Sequence, residues 1–152
     1  MSNAATPADW ANGLHLTAGP YFLGLYQPSP ETKDFWAGVE LRELLLKFCA
    51  ESGNWLHPKR IVCPDCGSDK LEMRRASGRG KVYSFSEVHR AASPAFAKSA
   101  PYVIGVVRLE EGVHLFTRII PGSAPVKIDA PVQVDFRVLE LGQLLPVFVV
   151  AA

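Results

Sequence analysis

The sequence predicts a mainly β protein, in which a short helix and a cysteine-knuckle module feed a five-stranded barrel of the OB type. Three observations lead there. Two of the three cysteines fall in Cys63-Pro64-Asp65-Cys66-Gly67, a spacing that lets two thiolates chelate one ion before a tight turn. After Cys66 the apolar residues recur with period two in about five short runs. Turn residues, with almost no helical pattern, separate those runs.

Residues 1–33 read as an extension. Its apolar run Tyr21-Phe22-Leu23-Gly24-Leu25-Tyr26 has neither helical nor strand period, and Pro28-Ser29-Pro30 then breaks regular structure. Such a run either lies over the protein's own core or serves as an arm that docks on a partner. Residues 34–70 form the helix-plus-ribbon module. Asp34 is expected to cap a short helix that carries Phe35, Trp36 and Val39 on one side, with Gly38 limiting its length. The apolar stretch 43–48 reaches Cys49 either as a strand or as a last helical turn.

Residues 71–152 form the barrel domain. Residues 81–88 alternate as a half-buried strand should. Residues 102–109 and 113–120 make a hairpin around Glu110-Glu111-Gly112. Residues 132–138 alternate again, and Glu140-Leu141-Gly142 turns the chain into 144–150. So few short strands need closure to protect their edges, whereas a sandwich wants about seven. By alternation Tyr83 and Phe85 share one face, and they are expected in the core rather than as a stacking platform.

Composition narrows the function classes. With 48% hydrophobic residues in 152, the chain can bury a core. Sixteen basic residues against 15 acidic leave a net charge of +1, so any attraction to nucleic acid or an anionic surface must be local. An odd cysteine count fits a reducing cytoplasm better than an oxidised framework. The longest apolar runs fall far short of the ~18 residues of a membrane span.

Two stretches match in register. Cys49-Ala50-Glu51-Ser52-Gly53 parallels Cys63-Pro64-Asp65-Cys66-Gly67, each with two spacers between the paired positions and a glycine after them. Two knuckles about ten residues apart make a tetrahedral zinc site. Here Ser52 stands in one of the four ligand positions, and a serine hydroxyl competes poorly with a thiolate. Three outcomes stay open: zinc on Cys49, Cys63 and Cys66 with a fourth ligand from His57, Ser52, Glu51 or water; a metal-free relic held by its turns; or weak, exchangeable binding. A catalytic zinc is disfavoured, because ribbon turns close over their ligands and no general base accompanies them.

These residues resemble the DUF35 family. The likeness runs through Phe35-Trp36, Leu44-Leu45-Leu46, Cys63-Pro64-Asp65-Cys66-Gly67-Ser68, Ser77-Gly78-Arg79-Gly80-Lys81-Val82-Tyr83-Ser84-Phe85, Pro101-Tyr102-Val103-Ile104-Gly105, Pro131-Val132-Gln133-Val134 and Leu145-Pro146-Val147-Phe148. Two departures stand out: Ser52 for a usual ligand, and Asp129-Ala130 where a glycine is common. The resemblance implies an N-terminal helix, a rubredoxin-like zinc ribbon and an OB-fold. It also implies an accessory subunit that associates with thiolase-like, condensing or hydratase enzymes acting on CoA esters, including polyketide-related C-acyltransferases. Such a subunit organises the complex and helps hold acyl-CoA.

The rival chemistry is thin. Lys70, Arg74, Arg75, Arg79 and Lys81 bracket Gly78-x-Gly80, where backbone and cations could meet CoA phosphates; the bland alternative is a solvated turn. The same cluster defines the competing class, a stand-alone single-stranded nucleic-acid-binding OB protein. None of His15, His57, His89 and His114 lies in a catalytic motif. Ser86 and His89, three apart on a strand, face opposite ways. Neither a P-loop nor a dinucleotide fingerprint is present, so no catalytic residue is expected.

Overall fold

The computed structural model describes residues 29–92, 94–140 and 142–151, so the aromatic run at 21–26 lies outside the described residues. Helix α1 (Lys33–Glu40) starts after Thr32, which takes the N-cap position expected for Asp34. Asp34 sits instead in the first turn, where its charge suits the helix dipole. The Thr32 hydroxyl is already used, accepting the Ser29 N–H at 3.0 Å in the turn before the helix. After α1, Arg42 adopts a left-handed φ of 58° and donates Nη1–H to the Phe136 carbonyl at 2.9 Å. That bond ties the helix exit to the far end of the chain.

The ambiguous stretch before Cys49 is a strand. β1 (Leu45–Cys49) lies between β2 (Asn54–Leu56) and β3 (Leu71–Arg75) in an antiparallel three-stranded sheet. β3 falls on the barrel side of the sequence division at residue 70, yet it pairs along its length with β1, from Leu45↔Arg75 to Cys49↔Leu71. The first alternating run in the sequence is 81–88, with no strand expected at 71–75, and the partner of a strand depends on register.

The second sheet closes on itself. β4 (Arg79–Val88), β5 (Tyr102–Leu109), β6 (His114–Ile120), β7 (Pro131–Val138) and β8 (Leu144–Val150) form a barrel in the order β4-β5-β6-β8-β7. A four-residue helix, α2 (Pro94–Ala97), interrupts the β4–β5 connection. All pairings are antiparallel except β6 with β8, which meet in parallel at Ile119↔Phe148 and Ile120↔Val149. This is the OB arrangement, with no free edge between the first and last neighbours.

Inward positions of every barrel strand feed one core, with Val82, Val107, Ile119, Val132 and Phe148 nearly or fully buried. Val39 of α1, Leu44, Leu46 of β1 and Ala76 belong to the same cluster, and the Ala76 N–H reaches the Leu44 carbonyl at 2.8 Å. The small sheet is therefore rooted on the barrel.

Tyr83 and Phe85 are a correction. They are 57% and 41% exposed, outside the core. β4 carries a bulge: Val82 faces Val107 while Ser84 faces Val106, so Tyr83 is an extra residue with no opposite number. Val82 takes the inward position and the aromatic rings are left outside.

Among the described residues, no helix is long and apolar enough to cross a membrane.

Candidate metal centre

Cys49 ends β1 and Cys63 lies midway along the connection from β2 to β3, so the sheet brings two distant knuckles together. Each closes the same way: Gly53 N–H bonds to Cys49 O at 2.8 Å, and Gly67 N–H to Cys63 O at 2.9 Å. Both glycines have left-handed φ, 75° and 73°, which a residue with a Cβ adopts at a cost. The internal match seen in the sequence is thus a repeated turn. Asn54 clamps the two knuckles, its side-chain amide donating to the Asp65 carboxylate. The sequence offered no signal for that pair.

The sulfurs of Cys49, Cys63 and Cys66 all lie within 4.8 Å of one another. Cys49 Sγ and Cys66 Sγ are 3.5 Å apart, and the fourth corner holds Ser52, whose Oγ is 3.2 Å from Cys63 Sγ. Cys49 and Cys63 are buried while Cys66 is exposed. The Ser52 hydroxyl, helped by the backbone N–H of Cys66, lowers the Cys63 thiol to about 7. For Cys66 a backbone bond from Ser68 pulls down, but the neighbouring Cys49 and Cys63 sulfurs and burial together push it up to about 11. One easily ionised thiol beside one that holds its proton is the behaviour of crowded sulfurs sharing a small space. The donor set suits a thiophilic divalent ion with three thiolates and a weak fourth donor.

The two other fourth-ligand candidates lie elsewhere. His57 is not among the grouped donors, and its Nδ1 accepts the Lys59 N–H at 3.2 Å. Burial, with Lys59, Arg60 and Lys47 nearby, pushes the His57 imidazole below its usual value. Glu51 is exposed and also outside the group.

Three arginines of the basic cluster lie beside carboxylates. Arg74 bonds Glu72 at 2.9 Å and stacks over the Phe48 ring at 3.8 Å. Arg75 pairs with Glu43 at 3.3 Å and Arg79 with Glu110 at 2.9 Å. Lys70 and Lys81 are exposed. Gly78 and Gly80 serve the barrel itself: a Cβ on Gly78 would come within 2.3 Å of Val134 Cγ1, and one on Gly80 within 2.5 Å of the Arg108 carbonyl. The space that a side chain would need at those glycines is filled by neighbouring strands. His89 lies just past the end of β4, exposed and 3.6 Å from Glu87.

Knuckle ribbon and closed barrel together define a two-module class, a rubredoxin-like ribbon fused to an OB-fold. Family models agree in the same order: "ChsH2, rubredoxin-like zinc ribbon domain" matches residues 36–72 and "ChsH2, C-terminal OB-fold domain" residues 73–137. The chain belongs to the DUF35 family. It is 35% identical, over 70% of its length and 82% of the relative's, to a DUF35 domain-containing scaffold protein of Methanothermobacter thermautotrophicus. It is 38% identical to a probable enoyl-CoA hydratase alpha subunit of Thermomonospora curvata, across 75% of this chain but only 36% of that one. With the benzoylsuccinyl-CoA thiolase subunit BbsA of Thauera aromatica it shares 32% identity over 49% of its own length and 51% of the relative's. A chain of the solved Ltp2-ChsH2(DUF35) aldolase superposes with a TM-score of 0.72 at 33% identity, covering 83% of this chain and 98% of that one.

Proposed function

We propose that this chain is a non-catalytic accessory subunit that organises a thiolase-like acyltransferase assembly working on acyl-CoA or related C-acyl donors, with polyketide-type chemistry within that range. The observation that carries the reading is the superposition on nearly the whole of a chain from the Ltp2-ChsH2(DUF35) aldolase. The relatives' names, a scaffold protein and subunits of a thiolase and a hydratase, point the same way. In this reading the ribbon and the segment 20–36 meet the partner enzyme, and the division expected at residue 70 moves to just after Arg75, so that β3 stays with the ribbon unit.

In the same reading, zinc is held by Cys49, Cys63 and Cys66, with Ser52 or a water as fourth donor. A bound ion would supply cross-linking of the two knuckles and no reaction chemistry. The CoA-phosphate contact assigned to Arg74, Arg75, Arg79 and Lys81 narrows to Lys81, because carboxylates already neutralise the three arginines.

The test is co-purification of the full chain with the enzymes encoded beside it. Stoichiometric recovery of a thiolase-like subunit, and acyl-transfer activity that needs both chains, is the expected result. A full chain that takes no protein partner but binds single-stranded oligonucleotide with steep salt dependence overturns it.

A further inference from the structure

The outer face of β4-β5-β6 carries a row that the Arg79–Glu110 pair brings into relief. Where Arg79 meets Glu110, opposite charges face each other across neighbouring strands. The next outward row is Lys81↔Arg108↔His114, basic side chains in direct register on three strands. All three are exposed, and among the described residues neither Lys81 nor Arg108 has an acidic partner. Like charges directly opposite one another are unfavourable, so such a row lacks an internal stabilising contact.

Aromatic rings border it. The bulge sets Tyr83 beside the row, edge-on to His114 with ring centroids 4.8 Å apart. Phe116 follows His114 by two residues and so projects from the same face, roughly 7 Å further along β6. It is 73% exposed. A pair of cations next to exposed aromatic rings matches a ligand that joins an anion to a flat ring.

We propose that this face binds a nucleotide, with Lys81 and Arg108 on its phosphate and Tyr83 and Phe116 against its base. The single row of cations sets the length of the ligand. A nucleic-acid strand presents a phosphate at every residue and needs a track of cations, whereas one row serves a mononucleotide or the nucleotide end of a larger carrier. The site deepens the contact proposed at Lys81 and rests on that part of the accessory-subunit reading, but it lies wholly on the barrel, so binding to the isolated full chain tests it separately from partner recovery.

Titration of the full chain with adenosine diphosphate, with coenzyme A and with a twelve-residue oligothymidylate separates the outcomes. Saturable binding of adenosine diphosphate is expected, weakened about tenfold or more by Arg108→Glu. Phe116→Ala should weaken it roughly fivefold or more. Both positions are exposed, and an unchanged thermal melt shows that the fold is kept. Equal affinity for coenzyme A and adenosine diphosphate marks a nucleotide-reading site; tighter coenzyme A binding that is equally sensitive to Arg108→Glu marks the carrier as its source. No binding, or binding indifferent to Arg108→Glu and Phe116→Ala, overturns the proposal. So does oligonucleotide binding that is tighter than mononucleotide binding and falls steeply with salt. Loss of co-purified enzyme in Arg108→Glu, with nucleotide binding intact, would make the face a protein contact and overturn it as well.

Discussion

The ribbon and the barrel are both small antiparallel β units, but they hold together by different means. The barrel surrounds a cluster in which Val82, Val107, Ile119 and Phe148 are at most 1% exposed. The ribbon's own buried set is Cys49, Leu56 and Cys63, with Leu71 packed against it. Two cysteines and a leucine exclude too little water to fold a sheet alone, and small modules of this kind need a metal or a neighbour. This ribbon has provision for both. Its sulfurs can take an ion, and the inner face of β1 sends Leu46 into the barrel cluster. Burial scales with the number of strands that can close round a core; cross-linking does not, so the smaller unit relies on it.

The largest expected effect tests the metal. Structural zinc in small modules contributes roughly 10–16 kcal/mol of apparent folding free energy. If elemental analysis finds zinc near one equivalent, a chelator or Cys63→Ser should abolish the ribbon's tertiary signal while the barrel still melts cooperatively. If zinc is below about a tenth of an equivalent, the same change should leave the melt almost where it was. Either result decides which of the two supports the ribbon uses.

Next comes the shared core. Phe148→Ala should cost about 3–5 kcal/mol, and Leu46→Ala about 2–5 kcal/mol, by denaturant unfolding. Leu46→Ala should also raise hydrogen exchange across β1–β3 more than across β5 and β6. Equal loosening of both units would remove the distinction drawn between them.

Among the described residues, the barrel carries a part-buried ion pair, Arg118 with Glu140, whose side chains are 14% and 12% exposed; the guanidinium also stacks on Tyr102 at 4.2 Å. Arg118→Met should cost roughly 1–3 kcal/mol, because it leaves the part-buried Glu140 carboxylate with its Ser99 hydrogen bond but no cation. Burial pushes the Glu140 carboxyl up, and hydrogen bonds from Ser99 and Arg118 outweigh that and hold it below its usual range. A depressed folded-state value stabilises the protein above the ordinary glutamate range, and the gain is lost as pH falls through the folded value. Glu140→Gln should therefore flatten the acid limb of a stability–pH curve while leaving the neutral limb lower. The smallest effect is expected at Arg79→Ala, where an exposed pair with Glu110 is lost and the melting temperature should not move measurably.

Much of this was legible in the residues. The paired knuckles could be aligned by eye, and their turns do repeat, down to the hydrogen bond that closes each glycine. The five barrel strands fell on the runs read from the sequence, because alternation is imposed by a pleat with one wet face. Misreadings arose where one residue breaks the count. The bulge at Tyr83 turned two rings outward that alternation had assigned to the core. The N-cap moved from Asp34 to Thr32, since capping depends on where the chain enters the helix and both residues are competent.

What the sequence by itself determined is the local chemistry: three thiols and a serine at knuckle spacing, glycines where the turns need them, and strands long enough to close a barrel. Only the tertiary structure decided who meets whom. Ser52 comes to lie against Cys63, and β3 joins the ribbon sheet. The basic residues near Gly78 find carboxylates, while Lys81 meets Arg108 across the β4–β5 ladder. Spacing along a chain sets which donors share a turn, but pairing between strands depends on register, and register is a property of the closed sheet as a whole.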